Sequence, residues 1–141
     1  MVKFKTIQYG STEFAQAWEL QNQILRVPLG LDLYDENLEI EASHYHFGLC
    51  QDSTLIAFAI AVPMTPILAK IRQMVVEPDF QNRGMGRALL LNAERDLHLR
   101  NYRSFVLHAR KSAVPFYEKL GYRAVDKLFI QVKLPHQKIE K

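Results

Sequence analysis

The stretch Gln81-Asn82-Arg83-Gly84-Met85-Gly86-Arg87-Ala88 decides how this chain is read. It follows the apolar run Met74-Val75-Val76, closed by Glu77-Pro78, and leads into a helical pattern from Arg87 to about Leu99. A strand therefore ends, a short loop turns, and a helix begins with Gly84 and Gly86 at its start. The first amides of a helix have no intrahelical partner and lie at the positive end of its dipole. Glycines without a Cβ let an anion approach those amides, and Arg83 and Arg87 add positive charge beside them. The stretch reads as a phosphate cradle. A dinucleotide fingerprint requires a glycine where Leu89 stands, and a P-loop requires Gly-Lys-Ser/Thr where the chain has Gly86-Arg87-Ala88.

A second stretch, Ser112-Ala113-Val114-Pro115-Phe116-Tyr117-Glu118-Lys119-Leu120-Gly121-Tyr122, reads as a short helix stopped by Gly121 with a strand after it. The pattern Gln-x-x-Gly-x-Gly between strand and helix resembles the pyrophosphate signature of the GCN5-related N-acetyltransferase (GNAT) superfamily. The second stretch is similar to that family's Ala-x-x-Phe-Tyr-x-Lys-x-Gly-Phe/Tyr segment. The two motifs stand in the family's order and at its distance. The resemblance covers the chain from about Ile56 onward by motif and the first half by architecture.

The resemblance implies an α/β fold: a mixed seven-stranded sheet flanked by about four helices. It implies acetyl-CoA as co-substrate and no metal. Gln81, Asn82, Arg83, Gly84, Met85, Gly86 and Arg87 would hold the diphosphate. The pantetheine would lie along Met74, Val75 and Val76, with an amide at or beside Met74 bonding the thioester carbonyl. Tyr117 would contact the donor near its sulfur and act as general acid. His136, in Leu134-Pro135-His136, resembles the general base of one branch of the family. Arg26, Arg72 and Arg110 resemble the arginines that clamp an anionic acceptor in the small-molecule branch that includes glyphosate-type N-acetyltransferases. Arg110 departs from the wider family, which often has asparagine near that place. Each arginine, taken alone, reads more readily as a solvated surface residue.

Composition fits this class. The chain has 141 residues, read as one domain over 1–141, and 48% of them are hydrophobic, enough for a core. A net charge of +3 suits an anionic ligand. Arg95, Arg100 and Arg103 are too scattered to argue for nucleic acid. Cys50 is the single cysteine, so no intrachain disulfide forms and a reducing compartment is expected. Its apolar surroundings read as a buried small residue. The N-terminal Met1-Val2-Lys3-Phe4-Lys5 has no apolar core of signal-peptide length and no apolar run approaches membrane-spanning length, so the expected compartment is the cytoplasm, away from the membrane. His44-Tyr45-His46 puts two imidazoles on one face of a predicted strand, short of the ligands a zinc site needs. His98 and His108 fall in no usable pattern. The family resemblance leaves a homodimer open.

Along the chain, strands are predicted at Lys3–Gln8, Ser43–Gln51, Thr54–Val62, Ile67–Val76, Ser104–Leu107, Tyr122–Lys133 and Pro135–Lys141. A helix capped by Ser11 or Thr12 carries Phe14, Ala17, Trp18, Gln21 and Leu25 on one face and ends at Arg26, before Pro28. The acidic segment Asp32–Glu41 is expected to be a short helix or a mobile loop beside the acceptor pocket.

Three functions remain open: acetyl transfer to a small, acidic amine; acetyl transfer to a protein, peptide or polyamine through an acidic groove built from Asp32, Asp35, Glu36, Glu39 and Glu41; and acyl-CoA sensing without turnover. The charge of the pocket floor discriminates the first two.

Overall fold

The computed structural model describes residues 1–36 and 38–141; Asn37, inside the acidic segment, lies outside them. Seven strands form one sheet: β1 (Val2–Thr6), β2 (Tyr45–Gln51), β3 (Thr54–Pro63), β4 (Leu68–Val76), β5 (Ser104–Arg110), β6 (Arg123–Gln131) and β7 (Leu134–Glu140). Their order is β1-β2-β3-β4-β5-β7-β6, with β4 and β5 parallel and the other neighbours antiparallel. The helices are α1 (Thr12–Leu25), α2 (Met85–Leu99) and α3 (Val114–Glu118). The parallel pair needs a crossover, and α2 supplies it.

Alternation along β3 divides the core. Phe58 and Ile60 pack with Phe14, Ala17 and Trp18 of α1 on one face. Ala57, Ala59 and Ala61 point to the other, where small side chains leave room for Leu89, Leu90, Ala93 and Leu97 of α2. Both faces are covered, as the unbroken apolar run predicts. Each buried large side chain stabilises the fold by about 1.5–3 kcal/mol.

Several boundaries differ from expectation. Ser11 caps α1, its hydroxyl accepting from the Phe14 amide at 3.1 Å. The acidic segment holds two 3-10 turns, Leu33–Asp35 and Glu39–Ser43, in place of a further α-helix. Three of its carboxylates have partners: Asp32 accepts from the Tyr34 amide, Glu36 pairs with Arg26 at 2.7 Å, and buried Glu41 pairs with His44 at 2.6 Å. β5 runs on through Arg110, which stands on the strand and not after it. His44 precedes β2, so the two imidazoles do not share a strand face. His44 binds the Glu41 carboxylate, whereas His46 is buried with Nε2 2.7 Å from the Glu41 carbonyl oxygen.

Candidate active site

The site is built where the central strands part. β4 and β5 pair from Leu68↔Ser104 to Ile71↔Leu107 and no further. β4 continues along β3 to Val76, and β5 continues along β7 to Arg110. A wedge opens between residues 72–76 and 108–110, and the backbone groups of β4 on that side have no β5 partner.

A bulge turns β4 at the head of the wedge. Phe58↔Val75 and Ile60↔Arg72 leave Ala59 facing both Gln73 and Met74. Gln73 carries the extra residue at φ 52, an uncommon region for a side chain with a Cβ. Its side-chain oxygen is buried without a hydrogen-bond partner.

The glycine-rich loop lies at the far end of β4. Gly84, at φ 81, is the N-cap of α2, so the helix begins at Met85 and not at Arg87. The amides of Met85, Gly86 and Arg87 therefore point out of the helix without intrahelical partners. Asn82 also has positive φ, 62. Gln81 turns back, donating from Nε2 to the Val76 carbonyl at 3.0 Å, which ties the loop to the strand. Arg83 lies over the Phe80 ring, 5.4 Å from its centroid. A Cβ on Gly86 would come within 3.3 Å of Phe116 Cζ and 3.8 Å of Met74 Cε. The second glycine thus lets the helix start pack between β4 and α3, bringing the two sequence motifs into contact.

One cavity of about 470 Å³ occupies the wedge, and Arg26, Arg72, Met74, Arg110, Tyr117 and His136 all line it. Val75 instead turns its side chain into the core beneath α1. Tyr117 is 6% exposed, and burial pushes its phenol up to about 12. His136 is 5% exposed, inside β7. Its Nδ1 lies 2.8 Å from the Leu134 carbonyl oxygen. A carbonyl only accepts, so Nδ1 carries the proton and Nε2 of the neutral ring keeps its lone pair.

Cation dominates the cavity wall. Pairing in register places Lys70, Arg72, His108, Arg110, His136 and Lys138 on one face of β4, β5 and β7. Arg26 reaches the same space from the end of α1, bound to Glu36. Arg72 lies 3.7 Å from Glu41. Arg110 donates to the Leu25 carbonyl at 3.3 Å, and burial, then Arg26, lowers its pKa. Lys70 and His108 line the cavity too and escaped the sequence reading. Each stands two residues before an arginine already singled out, so strand alternation was the signal that could have found them. The β6–β7 hairpin closes one rim: Gln131 and Val132 line the cavity, and Lys133 donates to the Leu29 carbonyl at 3.3 Å.

This geometry can be set beside known proteins. The acetyltransferase (GNAT) domain family matches residues 30–141. A ribosomal protein bS18-alanine N-acetyltransferase of Salmonella typhimurium is 29% identical over 116 residues, covering 79% of this chain and 76% of the relative. A solved structure from Lactobacillus plantarum superposes with a TM-score of 0.89 at 19% identity, over 99% of this chain and 97% of the other. An aminoglycoside 6'-N-acetyltransferase complexed with coenzyme A superposes at 0.83 and 16% identity, over 99% and 96%.

Proposed function

The chain belongs to the GNAT acetyltransferase family, and on that premise we propose that it transfers an acetyl group from acetyl-CoA to the amine of a small, acidic molecule, as glyphosate-type members do. The observation that carries the reading is the wall of the cavity: Arg26, Lys70, Arg72 and Arg110 against one lining carboxylate, Glu36, which Arg26 already binds. Four cations against one lining carboxylate leave an excess of positive charge in a partly desolvated cleft, which favours an anionic ligand.

The roles follow from chemistry at named atoms. The amides of Met85, Gly86 and Arg87, with Arg83 and Arg87, receive the diphosphate. Gln81 and Asn82 shape that loop. The β4 backbone at Met74, Val75 and Val76 offers hydrogen bonds to an extended chain in the wedge, one of them to the thioester carbonyl. Arg26, Arg72 and Arg110 hold the acid group of the acceptor. His136 Nε2 takes a proton from the attacking amine. The amine nitrogen bonds the carbonyl carbon, the carbon–sulfur bond breaks, and the Tyr117 hydroxyl donates a hydrogen bond to the departing thiolate.

The relative that acts on a ribosomal protein suggests a peptide acceptor. The acidic groove such a reading needs is weakened by the use of Glu36 and Glu41 in pairs with Arg26 and His44.

The test is thermal unfolding with and without acetyl-CoA, then thiol release over a panel of acidic amines, polyamines and peptides. Donor at about a hundred times its Kd adds roughly 2.7 kcal/mol, a rise of several degrees in Tm. Turnover confined to acidic amines is expected. No Tm rise overturns donor binding, and turnover confined to cationic acceptors overturns the acidic substrate.

A further inference from the structure

Resting on that reading of the site, we propose that Lys70, with His108 beside it, forms a second anion subsite farther along the cavity, so that the acceptor carries two acidic groups. Lys70 points from β4 into the cavity, and Val62 is its cross-strand neighbour on β3. Among the described residues it makes no ion pair, although every other lysine or arginine on this wall has an oxygen partner. Arg26 has Glu36, Arg72 has Glu41, Arg110 has the Leu25 carbonyl and Lys138 has Asp126. Burial, then Arg72 and Lys138, lowers the Lys70 pKa, which is the mark of a charge held without compensation. An incoming anion removes that cost.

His108 completes the subsite. Its Nδ1 lies 2.9 Å from the Gln131 side-chain oxygen, so Nδ1 donates and Nε2 is left for a ligand or a proton. Lys70 and Lys138 act on it electrostatically. A carboxylate or phosphonate arriving beside Lys70 would favour the protonated imidazole, adding a second donor.

The subsite is set apart from the arginines by strand geometry. Arg110 and His136 form one cross-strand pair, and His108 and Lys138 the next but one. Lys70 pairs with Val106, a further two residues along β5. Two residues of strand span roughly 6.6 Å and neighbouring strands lie about 4.8 Å apart, so Lys70, four residues along and two strands across, is rooted roughly 16 Å from the His136 position, and the Lys70 and His136 side chains reaching toward each other cover well over half of that. The remaining span is of the order separating the amine of an α-amino acid from a second acid at the end of its side chain. The class inferred is an amino acid with an acidic side chain, carboxylate or phosphonate.

The test compares isosteric pairs. With saturating acetyl-CoA, kcat/KM is measured for glutamate against glutamine and for 2-aminoadipate against norleucine, in the wild type, Lys70→Met and Lys70→Arg. A charge-assisted bond makes the diacid preferred by about tenfold or more in the wild type. The preference collapses toward unity in Lys70→Met and returns in Lys70→Arg. Equal use of glutamate and glutamine by the wild type, or a preference that survives Lys70→Met, overturns the subsite. Either result leaves acetyl transfer standing, whereas absence of an acetyl-CoA thermal shift removes the parent reading instead. As an amine-free measurement, glutarate should raise Tm more than butyrate does in the wild type and no more than butyrate in Lys70→Met. A glutarate advantage that persists in the variant also overturns it. The acetyl-CoA thermal shift of each variant confirms that it is folded.

Discussion

Arg110 and His136 are direct partners across the antiparallel ladder of β5 and β7, so a guanidinium and an imidazole stand side by side on one face of the sheet. A guanidinium that grips an acid group there leaves the neighbouring amine next to a proton acceptor. The two side chains should therefore fail differently. Arg110→Met is expected to raise KM for acidic acceptors by about tenfold or more with a smaller change in kcat. His136→Gln is expected to lower kcat by roughly a hundredfold or more. Steady-state kinetics on one acidic amine separates the two.

Tyr117 is a phenol kept protonated by burial. Its pKa lies near 12 instead of 10.0. A pH–rate profile should show no alkaline loss from this group until well above the ordinary tyrosine range. Tyr117→Phe should reduce kcat across the whole profile without moving either limb. An alkaline limb near 10 that disappears in the variant would overturn the burial-raised pKa, and an unchanged kcat in the variant would remove Tyr117 from the proposed role.

Stability should fall on the acid side through two histidines. Burial lowers the pKa of both His46 and His108 from 6.5. The unfolded chain then binds more protons than the folded one between the lowered pKa values and about 6.5. The neutral rings contribute fully above that pH, and the contribution is lost as pH falls through the folded pKa values. Tm measured from neutral to mildly acid pH should drop. His46 stacks on Phe58 at 5.8 Å and meets Phe14 edge-on at 5.0 Å. His46→Phe should keep the ring contacts and flatten the acid slope.

Gln73 combines a φ of 52 with a buried, unpartnered oxygen. Both features cost stability, the backbone of order 1 kcal/mol. Gln73→Gly accepts the same backbone angle and deletes the orphaned group. It should hold or raise Tm while lowering turnover, because the bulge is then fixed less rigidly. A variant that is less stable and fully active would show that the bulge serves folding alone.

Much of this was legible in the chain. Periodicity gave the α1 stripe of Phe14, Ala17 and Trp18, which is buried as a unit. The two glycines gave the strand–loop–helix turn, and the family resemblance drew Arg26, Arg72, Arg110, Tyr117 and His136 into one cavity. Other features were hidden for physical reasons. The acidic segment folds by side-chain pairs such as Glu36 with Arg26, contacts between elements that no local pattern records. The bulge at Gln73 places a residue with a Cβ at positive φ, so no glycine marks it in the sequence. Lys70 and His108 matter because three strands align them, and register across strands is not written in any one of them.

The parting of β4 from β5 has one more consequence. An exposed outer strand of a sheet can recruit any chain that offers a strand of its own. Here the open backbone of β4 lies indoors, with β5 as the opposite wall. A second polypeptide would have to enter between two strands of the same sheet to pair with it. The open edge of β4 thus lies inside the sheet, while β1 and β6 form its rims.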